Sequence, residues 1–136
     1  MFILTPKQNE KIREIAQKYD LDLLLLFGSQ ATGKTRKDSD FDVAFYGGRR
    51  LEFREECQMI TELMAVFKTH QVDLVNLRTA KPLILAAIFD KCQILFEGTR
   101  RPLLFDHMRA FAFHQYVETK PLYQYRFEKL KKSLNI

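Results

Sequence analysis

The chain has no tryptophan, two cysteines, four prolines and five glycines among its 136 residues. So little glycine and proline excludes collagen-like and low-complexity architectures. The two cysteines, Cys57 and Cys92, lie far apart without a second pair at zinc spacing. That excludes a disulfide framework or a zinc ribbon, and both are expected to be reduced core residues. Long apolar runs are missing as well: the longest, residues 23–27 and 83–89, fall far short of the roughly 20 residues that span a bilayer. Met1-Phe2-Ile3-Leu4 meets Thr5-Pro6-Lys7 rather than a cleavage site, so the expectation is a cytoplasmic protein with no membrane partner.

An excess of one charge sign is absent from most of the chain. Residues 1–99 balance acid and base, and the whole net charge of +5 sits in residues 100–136. A basic tail alone is most often a solvated helix face, so direct nucleic-acid binding is not expected. With 46% hydrophobic and 29% charged residues, the chain has the make-up of one globular domain, large enough to bury about two-thirds of its unfolded surface.

Thr5-Pro6 marks a helix start, after which Ile12, Ile15, Ala16 and Tyr19 share a face. Residues 21–27 form a dense apolar run expected to be a strand buried on both faces. Phe41, Val43 and Phe45 then alternate with Asp40, Asp42 and Ala44, the period of a strand, ending at Gly47-Gly48. Phe53, Cys57, Ile60, Leu63, Met64 and Phe67 predict an amphipathic helix. A strand over 72–77, a helix from Pro82 to Asp90 and a strand over 93–96 follow. Two further helices, around 103–118 and 122–134, are expected on either side of Lys120-Pro121. Alternating strands and helices place the chain in the α/β (α+β) class, as a small mixed sheet flanked by helices with a helical C-terminal tail. Residues 1–98 make the core, and 99–136 an extension packing on the core or on a partner.

Two phosphate-handling patterns overlap. Residues 28–35, GSQATGKT, spell the P-loop pattern, in which Lys34 would reach phosphates. That motif must lead straight into a long helix, whereas a strand starts again near residue 40. The second pattern is an apolar strand, Gly28-Ser29, a spacer, then Asp40-Phe41-Asp42 and, later, Asp73 within an apolar frame. Residues i and i+2 of a strand point to one face, so Asp40 and Asp42 can share a cation that Asp73 joins from a neighbouring strand. Three converging carboxylates repel one another unless a hard cation such as Mg²⁺ neutralises them, with nucleotide phosphates as further ligands. Gly28 allows close approach to a phosphate, and Ser29 can donate to it.

At these residues the sequence resembles the DNA-polymerase-β-like nucleotidyltransferases, most closely the minimal nucleotidyltransferase (MNT) domains. The stretch LLFGSQATGKTRKDSDFDVAFY carries their Gly-Ser, spacer, Ser-Asp-x-Asp signature. The resemblance implies transfer of AMP from ATP to a hydroxyl. Asp40 and Asp42 would bind two Mg²⁺ ions, with Asp73 on the acceptor-side metal and in deprotonation, while Gly28, Ser29 and Ser39 would hold the nucleotide. It further implies the antitoxin of a HEPN/MNT toxin–antitoxin pair, adenylylating a tyrosine of a HEPN ribonuclease in a hetero-oligomer. The rivals are an antitoxin that acts by binding alone and a small-molecule, antibiotic-type transferase.

Arg109, His114 and Tyr116 also spell the Arg-x4-His-x-Tyr motif of HEPN ribonucleases, although the tail is far too short for that helical domain. Phe105, Met108, Ala112 and Tyr116 instead predict a core stripe, which leaves Arg109 and His114 off it. His70, His107, Asp22 and Asp38 are expected in surface or capping roles.

Overall fold

The computed structural model describes residues 2–32 and 40–134. Helix α1 (Pro6–Lys18) starts as its sequence dictates: the Thr5 hydroxyl accepts from Gln8 N, and the Gln8 side chain accepts from Thr5 N, a reciprocal capping box. Strand β1 (Leu21–Phe27), the short helix α2 (Ser29–Thr32), strand β2 (Phe41–Gly47) and helix α3 (Phe53–Phe67) follow. Strand β3 (Val72–Asn76), helix α4 (Pro82–Asp90), strand β4 (Cys92–Glu97) and helix α5 (Leu104–Ser133) complete the chain.

The four strands form one mixed sheet in the order β3-β2-β1-β4. Both neighbours of β1 run antiparallel to it, and β3 runs parallel to β2 through the α3 crossover. Alternation along the strands divides the core in two. Leu24, Leu26, Val43 and Phe45 meet α1 and α3 on one face, while Leu23, Leu25 and Ala44 meet α4 and α5 on the other. The apolar run of β1 is thus consumed by burial on both faces, with Leu23 to Leu26 fully inaccessible.

Three expectations are corrected. In α3 the expected Leu63 and Phe67 are buried and Ile60 and Met64 pack partly against the core, joined by Met59 and Val66, while Phe53 and Cys57 are exposed. Neighbouring rows on a helix both recur at three and four, and only packing selects between them. Cys57 is therefore no core residue, and Cys92 is half-buried. Pro121 does not break the tail into a pair of helices: α5 runs through it. Proline deprives the Val117 carbonyl of its helical donor, a loss tolerable where Val117 and Pro121 are both exposed to water. Finally, Asp22 is buried rather than superficial, 2% exposed, and one of its oxygens accepts from Arg100 Nε at 2.9 Å. Arg100 also pairs with Asp20, so this guanidinium fastens the segment before α5 to the start of β1. His70 and His107 are exposed, as expected.

Leu103, which precedes α5, has φ 63°, a left-handed conformation unfavourable to a branched side chain, and is 63% exposed. Leu103→Gly should relieve about 1 kcal/mol of strain with little loss of packing, visible as a higher Tm.

Candidate active site

The carboxylates occupy the end of the sheet where β1 finishes and its neighbours begin. Phe27, the last residue of β1, lies opposite Asp42 on one side and Cys92 on the other. Across the parallel pair, Asp42 is in register with Asp73. Asp40 immediately precedes β2, two residues from Asp42, and the Phe41 amide between them donates to Gln71 O at 2.9 Å, anchoring the strand entrance to β3. Asp42 and Asp73 share the sheet face of Ala44 and Val75, which is the face of α4 and α5. Phe41, on the opposite face, stacks against Phe67 with ring centroids 4.6 Å apart. The alternation of aromatic and acid therefore buries one set and frees the other.

Asp42 is half-buried, whereas Asp40 and Asp73 are exposed. Burial pushes the Asp42 carboxyl above the ordinary carboxylate range, and the charges of Asp73 and Asp40 push it further. Gly28 faces it across the strand end. Its φ of 76° lies in the left-handed region, and a Cβ there would penetrate Asp42 Oδ2 and stand 3.3 Å from Cγ. The bare backbone of the turn and the carboxylate are thus in immediate contact, which requires glycine on both conformational and steric grounds.

Among the described residues, no three His, Cys, Asp or Glu side chains stand close enough together to hold a metal ion. The expected three-carboxylate convergence is present as register and charge, not as a closed ligand set. The donor set nevertheless fits Mg²⁺: all three groups are hard oxygen ligands, and the repulsion raising the Asp42 pKa is what a divalent cation would cancel. Ser29 opens α2 directly after Gly28. Ser39, Lys34 and Asp38 lie outside the described residues. The P-loop reading fails on topology, because a P-loop strand belongs to a parallel sheet and β1 has an antiparallel neighbour on each side.

Of the ribonuclease-like motif, Arg109 and Tyr116 line a cavity of about 470 Å³ between α4 and α5, whereas exposed His114 pairs with Glu118 at 3.1 Å. The three do not line one site. Phe105, Met108 and Ala112 pack into the core, as their stripe requires. Sequence reasoning missed the placement of Cys92 in the Asp73–Asp42–Phe27 row, for which no local pattern existed. Burial raises its thiol pKa, and nearby Arg109 opposes that rise.

A mixed sheet with paired strand-end aspartates against a glycine turn defines the class of the protein: a nucleotidyltransferase. The profile of the polymerase beta nucleotidyltransferase family matches residues 10–101, and the chain belongs to that family. Among solved structures it is similar to a chain of a toxin–antitoxin with AMP-PNP, at 22% identity and TM-score 0.68, covering 88% of this chain and 98% of that one. It is also similar to a chain of the tri-AMPylated Shewanella oneidensis HEPN toxin in complex with MNT antitoxin, at 20% identity and TM-score 0.63, covering 89% and 97%. A spectinomycin adenyltransferase, AAD(9), from Enterococcus shares 11% identity and a TM-score of 0.51, over 76% of this chain and 59% of its own. No curated protein matches.

Proposed function

We propose that the protein transfers AMP from ATP to a hydroxyl of a partner protein, a tyrosine of a cognate HEPN toxin, and thereby acts as an antitoxin of the type VII kind. The contact between Gly28 and Asp42, with Asp73 in register and Asp40 two residues away, carries this reading. A phosphate can approach the backbone only where no Cβ intervenes, and here that place adjoins the carboxylates. The solved toxin–antitoxin structures with AMP-PNP and with an AMPylated toxin support ATP and a HEPN protein as the two substrates.

In this mechanism Gly28 and Ser29 receive the triphosphate at the β1–α2 turn, assisted by Ser39. Asp40, Asp42 and Asp73 would hold Mg²⁺, which supplies charge neutralisation for the attacking and leaving oxygens. Asp73, exposed at the outer strand, takes up the proton of the acceptor hydroxyl. The hydroxyl oxygen bonds to the α-phosphorus as the bond to the bridging oxygen breaks, and pyrophosphate leaves with those electrons. The three carboxylates orient both ends of this in-line exchange.

The test is incubation with Mg²⁺, the purified HEPN partner and ATP labelled at either the α- or the γ-phosphate. Label from the α-position alone should reach a partner tyrosine. A stable, inactive complex without label would instead establish neutralisation by binding.

A further inference from the structure

The distal half of α5 carries a pattern that the transfer reaction does not use. From residue 113 onward, positions alternate at three and four over three heptads. Phe113, Lys120, Phe127 and Leu134 form one row, and Tyr116, Tyr123 and Leu130 the other. This is the spacing of a coiled-coil a/d seam, aromatic and aliphatic but for one lysine, with Val117, Leu122 and Tyr125 also exposed outside it. Among the described residues most of it is open to solvent, with Phe113 68% exposed, Phe127 57%, Leu130 55% and Leu134 57%, while Tyr116 and Tyr123 are half-buried. Ala112 alone among the described residues of α5 is buried. At its inner end the seam runs into the α4–α5 cavity, which Phe113 and Tyr116 line.

Charge identifies what fits there. The flanking e and g positions carry Arg126 and Lys131 and no carboxylate, while Glu118 and Glu128 fall at f and b, away from the seam. Lys120 Nζ lies 5.7 Å from the Tyr116 ring centroid and Lys131 Nζ 5.0 Å from that of Phe127, so the cations are drawn onto the apolar stripe itself. A second copy in parallel would set Lys120 against Lys120 and Arg126 against Lys131. An antiparallel copy in full overlap would set Arg126 against Thr119 and would offer no carboxylate on either flank. Neither pairing gives Lys120, Arg126 or Lys131 a carboxylate, and the parallel one adds like-charge repulsion. We propose that the distal half of α5 is a docking seam for an amphipathic helix of a partner protein, with apolar a and d positions, acidic flanks and a carboxylate facing Lys120. The inference does not depend on the transfer activity.

The full-length protein is titrated, by fluorescence anisotropy, against two labelled synthetic helices of about 28 residues. Both have leucine at a and d; one carries glutamate and the other lysine at e and g. The acidic helix should bind, and weaken by roughly tenfold or more between about 0.1 and 0.5 M salt. Lys120→Glu with Arg126→Glu and Lys131→Glu should lose the acidic helix and accept the basic one, while Glu128→Lys, off the seam, should leave binding unchanged. The triple variant is judged only if its circular dichroism matches that of the parent, and Leu130→Asp, which should abolish binding of both helices, serves if it does not. Equal binding of the two helices, or of neither, would overturn the proposal. So would a dimer by sedimentation that Leu130→Asp dissolves, which makes the occupant a second copy, or displacement of the acidic helix by a single-stranded RNA.

Discussion

Replacing Asp40 and Asp42 with asparagine should lower AMP transfer by about a thousandfold or more, while the fold and partner binding persist. Asparagine keeps the volume and removes the negative charge that a cation would need. The same substitution should raise stability at neutral pH, because the half-buried Asp42 carboxylate is repelled by Asp73 and Asp40. Its folded pKa lies above the unfolded value, so the native state holds its proton more readily. The contribution of this one carboxyl to wild-type stability is therefore greatest in acid and is lost as pH rises through its folded pKa. The gain in Tm of the variant should appear above that range and vanish in acid, which thermal melts across pH will show. If toxin neutralisation survives when transfer is lost, the protein acts by covering its target.

Gly28→Ala should be strongly damaging for a single methyl. A left-handed φ of 76° costs a side chain about 1–2 kcal/mol, and the added Cβ collides with Asp42 Oδ2. Together these should lower Tm by roughly 5 to 10 °C. Because the displaced group is Asp42 itself and the added methyl occupies the phosphate approach, transfer should drop at least about a hundredfold. A double-mutant cycle separates the causes: in an Asp42→Ala background the collision is gone, and Gly28→Ala should cost only the backbone part. An unchanged penalty in that background would mean the carboxylate is not what the methyl meets.

Much of this site was legible because it is local. Asp40, Phe41 and Asp42 alternate on one strand, so period two alone puts both acids on one face and the aromatic ring on the other. Thr5-Pro6 likewise declares the start of α1 within two residues. Asp73 was readable as an acid in an apolar frame, but its register with Asp42 depends on the α3 crossover laying β3 parallel to β2. Cys92 had no such signal, since its place beyond Phe27 follows from β4 pairing with the far edge of β1. Of the α3 face, Phe53 and Cys57 were misread for the same reason. They share the helical periodicity of Ile60, Leu63 and Phe67, and only packing against the sheet leaves them exposed.

The sequence by itself determined the kinds of element, their order and the chemically competent side chains, because hydrogen bonding along a helix and alternation along a strand act over a few residues. Tertiary structure alone decided that β1 lies between two antiparallel neighbours, which removes the P-loop reading despite its complete spelling. It decided that the strand-end aspartates share a face with α4 and α5, that Asp22 is buried beneath Arg100, and that α5 continues through Pro121 into water. Each of these outcomes is set by contacts between segments distant along the chain, where packing and the partners available for a buried charge outweigh local preference.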